Sequence, residues 1–383
     1  MHIYVFLFLL GAFLGLFACE FADRWGCSQK YRSSLPKKLF IFFVSGIAAA
    51  WLFWWIVKNG MLYPPDTKPW RLVDFHLDIV CYILFVCLLA ATLTDFYEMI
   101  IPDSITVVGT VSALFLAVFF PLAALPVTEI RWAHDFSPVF KPYPFMHVWS
   151  PNPAGASSLI LMLFLWWFWC FAILDRVWYT KLPFHKANAI FWRYLYRSPR
   201  TKYIVAIALI APVGLIFLSH VAPHTAQFSA LVGMTAVEMI EVSLLSALVG
   251  MAFGMVLVWG IRLVARWVLG IEAMGFGDVT LMGMIGAFLG WQAVLLIFFA
   301  APFFGLVYGI VNLALGKGRA VPYGPFLCLA TVAVVIAWSP IWSATAEYFA
   351  FGIGTIGAVL LGLLVLFGGL LHVVHKLFSR LRR

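Results

Sequence analysis

Residues 272–291 read EAMGFGDVTLMGMIGAFLGW. Asp278 follows Gly275 and Gly277 and opens a long apolar run, a setting in which an ionised carboxylate is costly unless the protein uses it. The surroundings of this stretch decide the fold. Of the 383 residues 64% are hydrophobic and 11% charged, and the mean hydropathy is +1.00, so the chain belongs in a bilayer. Apolar stretches long enough to cross about 30 Å of hydrocarbon begin near residues 3, 39, 75, 104, 157, 203, 241, 279, 295, 321 and 348. This predicts an all-α, polytopic integral membrane protein of about eleven transmembrane helices. The division between the eighth and ninth rests on Gly290, Trp291 and Gln292 forming a turn.

The net charge of +9 reads as a topology signal rather than as a nucleic-acid surface. With the N-terminus outside, alternate connections at 19–38, 176–202, 262–278, 316–319 and the tail after 375 face the cytoplasm. They hold twenty of the 25 basic residues. Eleven spans then put the C-terminus in the cytoplasm, in keeping with the tail HKLFSRLRR. The first span, MHIYVFLFLLGAFLGLFAC, has no basic residue before it and Arg24, Lys30 and Arg32 after it, the pattern of a retained helix rather than a cleaved leader. The six cysteines form no CxxC pair. That argues against a zinc module or a disulfide framework, and no metal or other cofactor is expected.

Three regions follow: a membrane half over 1–125, an inserted outside loop with two extra spans over 126–240, and a second membrane half over 241–383. Within the insertion His134, Asp135 and His147 have metal-binding side chains, but their irregular spacing favours an ordinary loop. The segment RVWYTKLPFHKANAIFWRYLYRSPRTK, residues 176–202, mixes basic and aromatic residues. It reads as a helix in the membrane interface, or as a surface for acidic lipid or another component.

Against this background the membrane-edge carboxylates stand out. Asp95 closes the third span in CLLAATLTDFYEMIIPDSIT and Asp278 opens the eighth, so the predicted topology puts both at the cytoplasmic edge. Two carboxyl groups a few ångströms apart share a proton, one acting as base and the other as acid. Such a dyad can activate water against a peptide carbonyl. Gly275 and Gly277 are expected to supply backbone angles closed to other residues and to let a substrate strand approach. Asp278 is also in position to cap a helix. Asp103, after Pro102, reads as a structural cap of the fourth span.

Three blocks resemble the type IV prepilin peptidases, within the wider GxGD class of membrane-embedded aspartyl proteases: MGFGDVTLMGMIGAFLGW, DFYEMIIPD with its Pro102–Asp103 pair, and VPYGPFLCLA at 321–330. The resemblance implies that Asp95 and Asp278 are catalytic. It implies removal of a basic leader from prepilin-like substrates with an apolar N-terminal helix, in the bacterial inner membrane, with pilus or secretion components as further partners. The best-known members carry two CxxC pairs between their first two spans and also methylate their product. Here that connection is about twenty residues with Cys27 alone, so methyltransferase activity is not expected. Two other readings stay open: a transporter whose intramembrane acids carry protons or ions, and an inactive relative kept as a scaffold.

Overall fold

Most of the long segments are apolar around their whole circumference rather than along one stripe, which suits helices enclosed by lipid and by other helices. The computed structural model describes residues 2–25, 34–58, 62, 71–121, 123, 125, 127–132, 138–143, 156–174, 184–198, 201–202, 204, 236–269, 274–315, 322–349 and 352–381. Its elements in chain order are α1 (His2–Trp25), α2 (Leu35–Phe53), α3 (Arg71–Glu98), α4 (Asp103–Phe119), β1 (Val127–Trp132), β2 (Pro138–Tyr143), α5 (Ala156–Ala172) and α6 (Phe184–Arg197). They continue with α7 (Ala236–Leu269), α8 (Phe276–Ala314), α9 (Gly324–Ile336), α10 (Trp338–Phe349) and α11 (Gly352–Leu381). Among the described residues one antiparallel hairpin, pairing Val127 with Tyr143 and Trp132 with Pro138, interrupts otherwise helical structure.

The expected eleven transmembrane helices are not there. Among the described residues five helices are long and apolar enough to cross a membrane: Ile3–Glu20, Leu35–Val57, Phe75–Glu98, Ile240–Val268 and Phe276–Ala314. A sixth results if α9 and α10, bent by 91°, count as one span. The eighth and ninth expected stretches run on as the single element α8, counted as one candidate span, although the chain does break at Gly290, where the turn between them is expected. The apolar parts of α4, α5 and α11 have 17 residues or fewer, short of the roughly 20 that a crossing needs. The stretch from 203 lies almost wholly outside the described residues. With the count falls the parity argument that set the N-terminus outside and the C-terminus in the cytoplasm. Hydropathy windows overcount because they register apolar side chains without registering what surrounds them. In α8 every residue from 278 to 294 is buried, so this run is apolar because it lies inside protein.

The core forms around α7 and α8, whose backbones meet through glycines. A Cβ on Gly250 of α7 would strike the carbonyl oxygen of Gly286 in α8, and one on Gly286 would strike the carbonyl of Gly250. One turn along, a Cβ on Gly254 would lie 3.0 Å from the carbonyl carbon of Met282, and one on Gly283 would be 2.5 Å from Cγ of Met255. Gly250 and Gly254 make a GxxxG pair, the spacing that lets membrane helices approach closely. Gly290, at φ 82° and ψ 171°, breaks α8 in its middle. A Cβ on Gly286 would be 3.0 Å from Cγ2 of Val294, whereas eight residues of straight helix span about 12 Å. The chain therefore bends sharply at Gly290. Opposite α7, Met284 fills the groove at Gly109 of α4, its Cγ 2.9 Å from where a Cβ would stand.

Gly250→Ala is expected to cost about 1–3 kcal/mol through this backbone collision, measured by thermal unfolding of the detergent-solubilised protein. Gly362→Ala in α11, where a Cβ meets nothing within 4 Å, leaves stability unchanged or slightly raised.

Candidate active site

Asp95 lies in the last turn of α3. That helix stops because Met99 takes a left-handed conformation, φ 54°, and returns its N–H to the carbonyl of Asp95 at 2.9 Å, a C-terminal closure of the αL type. A side-chain-bearing residue adopts this conformation at a cost of roughly 1–2 kcal/mol. Pro102 then forms the N-cap of α4 in an extended conformation, its carbonyl accepting the N–H groups of Ile105 at 3.0 Å and Thr106 at 3.4 Å. Asp103 is therefore not the cap expected from sequence. It sits in the first turn of α4, where its charge complements the helix dipole.

The tight α3–α4 link drives Ile101 inward, to 6% exposure. Ile101 wedges between the starts of two helices. A Cβ on Gly277 of α8 would be 3.0 Å from Cβ of Ile101 and 3.2 Å from its carbonyl oxygen. A Cβ on Gly324 of α9 would be 2.8 Å from Cδ1 of Ile101, and would run into Oδ2 of Asp95. Asp95 and Asp278 are thus brought to one place from separate helices, close enough for the charge of Asp95 to be felt at Asp278. Cys328, one turn into α9, senses both.

The two carboxyls are held differently. Asp278 is the third residue of α8, and its Oδ2 accepts the N–H of the N-cap Gly275 at 3.2 Å. This is one half of a capping box, so the helix-cap role is real and coexists with any chemical one. The Arg262 guanidinium stands 5.7 Å over the Phe276 ring and brings a cation near Asp278. Asp95 is 5% exposed; its carboxyl faces the N–H of Gly324, and its Oδ2 is buried with no hydrogen-bond partner among the described residues.

The glycines do not supply the special backbone angles expected of them. Gly275, at φ −68° and ψ 156°, has a conformation open to any residue, and Gly277 and Gly324 are required for room. Sequence reasoning passed over Ile101, Tyr323 and Gly324. Burial pushes the Tyr323 hydroxyl up to about 12, and the charge of Asp278 adds to the rise, so it remains a proton-bearing donor at neutral pH. VPYGPFLCLA, one of the three blocks that carry the family resemblance, contains both Tyr323 and Gly324. Among the described residues no group of three or more His, Cys, Asp or Glu side chains is placed to hold a metal ion. His134, Asp135, His147 and Cys27 lie outside the described residues.

A model of the type IV leader peptidase family matches residues 201–310, which include Gly275, Gly277 and Asp278 but not Asp95. The chain is similar to the prepilin leader peptidase/N-methyltransferase of Pseudomonas aeruginosa, at 36% identity over 91 residues, 23% of this chain and 31% of that protein. The protein of the same name from Stutzerimonas stutzeri is 36% identical over 112 residues, 28% of this chain and 38% of the relative. That from Burkholderia pseudomallei is 32% identical over 103 residues, 26% and 33% of the two chains. The chain thus spans about a third of the length of these relatives. No solved structure matches. Part of this helical, polytopic membrane protein is homologous, at moderate identity, to the type IV prepilin peptidases.

Met99→Gly is expected to raise stability by roughly 0.5–1 kcal/mol, the relief of left-handed strain less the extra freedom of an unfolded glycine. Met99→Val, β-branched at the same φ, lowers it. Thermal unfolding in detergent reads both.

Proposed function

We propose that Asp95 and Asp278 are the paired carboxyls of a membrane-embedded aspartic endopeptidase, which removes the basic leader of prepilin-like proteins at the cytoplasmic face of the membrane. The observation that carries this reading is the wedge of Ile101 between Gly277 and Gly324, with a buried carboxyl on either side, one of them inside the segment homologous to leader peptidases. The ionised member takes a proton from water as its oxygen attacks the scissile carbonyl. The protonated member hydrogen-bonds the developing oxyanion, and the proton gained by the first then passes to the departing amine. Oδ2 of Asp95, buried and unpartnered, has room in its hydrogen bonding for that shared proton or for the attacking water.

The substrates are proteins whose apolar N-terminal helix lies in the bilayer, and pilus or secretion components are further partners. Residues 1–125 and 241–383 each supply one aspartate, and 126–240 is an insertion between them. Only the peptidase half of the relatives' name is extended to this chain, because the match contains the GxGD segment while the first connection lacks paired cysteines. A transporter needs a chain of polar groups across the membrane. The buried run 278–294 offers only Asp278, Thr280 and Gln292.

Asp95→Asn and Asp278→Asn should each lower cleavage of a prepilin-like peptide by at least about a thousandfold while leaving membrane insertion intact, and the double variant should be no worse than either single one. Gly324→Ala should inactivate by displacing the Asp95 carboxyl, with insertion again normal. A normal rate in Asp278→Asn would reduce that residue to a helix cap and end the peptidase reading. Mass measurement of the cut product tests the remaining point: a methyl increment would extend the second half of the relatives' name to this chain.

A further inference from the structure

Tyr323 stands where the two carboxyls come together, and the reading above leaves it without a task. It is the N-cap of α9, and its carbonyl accepts the N–H groups of Phe326 at 3.0 Å and Leu327 at 3.3 Å. Pro322 and Pro325 restrict the backbone on either side. The next residue, Gly324, is pressed against Ile101 and Asp95. The backbone that carries the tyrosine is therefore fixed relative to the carboxyl pair, and its half-buried ring packs on the core. Its hydroxyl is near enough to Asp278 to feel that charge.

Attack of water on a peptide carbonyl leaves negative charge on the former carbonyl oxygen, and donors aimed at that oxygen lower the barrier. The protonated carboxyl is one donor. A second has to come from a group not already engaged. The N–H of Gly275 goes to Asp278 and that of Gly324 to Asp95. The hydroxyls of Thr94, Thr106, Thr280 and Thr331 donate to carbonyls of their own helices, and that of Thr92 is bonded to the Cys328 thiol. Three further donors are turned elsewhere. Ser104 lies about 140° around α4 from Gly109, the residue that meets α8. Tyr97, with the Lys37 ammonium 4.8 Å over its ring, lies about 200° around α3 from Asp95. Arg262 stands over Phe276, which is about 200° around α8 from Asp278. Among the described residues this leaves the Tyr323 hydroxyl, which keeps its proton at neutral pH.

We propose that Tyr323 is a catalytic residue whose hydroxyl donates a hydrogen bond to the oxyanion formed on the scissile carbonyl, beside the proton-bearing carboxyl. The phenol proton stays on its own oxygen throughout, and the two aspartates carry out every proton transfer. This inference rests on the peptidase reading.

The test uses the 383-residue chain in detergent with a prepilin-like peptide, a Lys/Arg-rich leader joined to an apolar helix. A second peptide carries a phosphinate, a tetrahedral anion, at the bond that mass measurement of the cut product locates. Tyr323→Phe keeps the ring and removes only the donor. It should lower kcat roughly a hundredfold to a thousandfold, leave KM within about twofold and weaken phosphinate binding by a factor similar to the loss in kcat, with thermal unfolding unchanged. Incorporating 3-fluorotyrosine at 323, which retains the donor, should restore most of kcat. A normal kcat in Tyr323→Phe would overturn the proposal, as would equal losses of affinity for the phosphinate and for the uncut peptide. A fall in unfolding temperature that accompanies the loss of kcat, with no recovery on incorporating fluorotyrosine, would make the hydroxyl part of the fold and overturn it as well. The two readings fail separately. If Asp278→Asn is inactive and Tyr323→Phe fully active, the dyad stands and only the role of Tyr323 falls; if Asp278→Asn is active, the dyad itself falls.

Discussion

The backbone contact between α7 and α8 is the constraint on which the rest depends. Between helices in lipid there is little hydrophobic driving force, and closeness of packing has to hold them. Gly250, Gly254, Gly283 and Gly286 provide that closeness, because any side chain at the first or last of them would meet a carbonyl oxygen. With α8 fixed against α7, Met284 reaches Gly109 and draws in α4, and the α3–α4 link then delivers Ile101 to the starts of α8 and α9. Both aspartates take their places from that chain of contacts.

The resulting pair is asymmetric. Asp278 already accepts a backbone hydrogen bond from Gly275 and has a guanidinium nearby, whereas Asp95 keeps an unpartnered oxygen in a buried setting. A buried acceptor without a donor costs about 1–3 kcal/mol. The fold tolerates this cost at the point where α3 is also closed by a strained Met99. Two unfavourable local features within five residues mark the α3–α4 link as shaped by something other than stability.

Much of this was legible in the sequence. Composition alone places the chain in a membrane, and the EAMGFGD and DFYEMIIPD stretches single out Asp278 and Asp95 before any coordinates. The number of crossings was not legible, because the same apolar residues serve inside protein in α8 and against lipid in α11. The functions of Gly277 and Gly324 were hidden for a related reason. Each is glycine because of a residue distant in sequence, Ile101 or Asp95, and spacing within one segment carries no record of such neighbours. A helix was legible in the basic and aromatic segment 176–202, and α6 falls within it.

The break at Gly290 bears on how the protein responds to its lipid. The part of α8 that carries Asp278, residues 276–289, is only about 21 Å long at 1.5 Å per residue, less than the hydrocarbon thickness. Its flanks touch protein throughout. When a bilayer thickens or thins, the elements that must adjust are those facing acyl chains, such as α1 with Phe6, Phe13 and Phe17 exposed, and α11 with Leu361, Val365 and Leu366 exposed; these can tilt. The segment around Asp278 has no such face. Its depth is set by glycine contacts to α7 rather than by direct hydrophobic matching, so Asp278 follows α7 when the bilayer changes thickness.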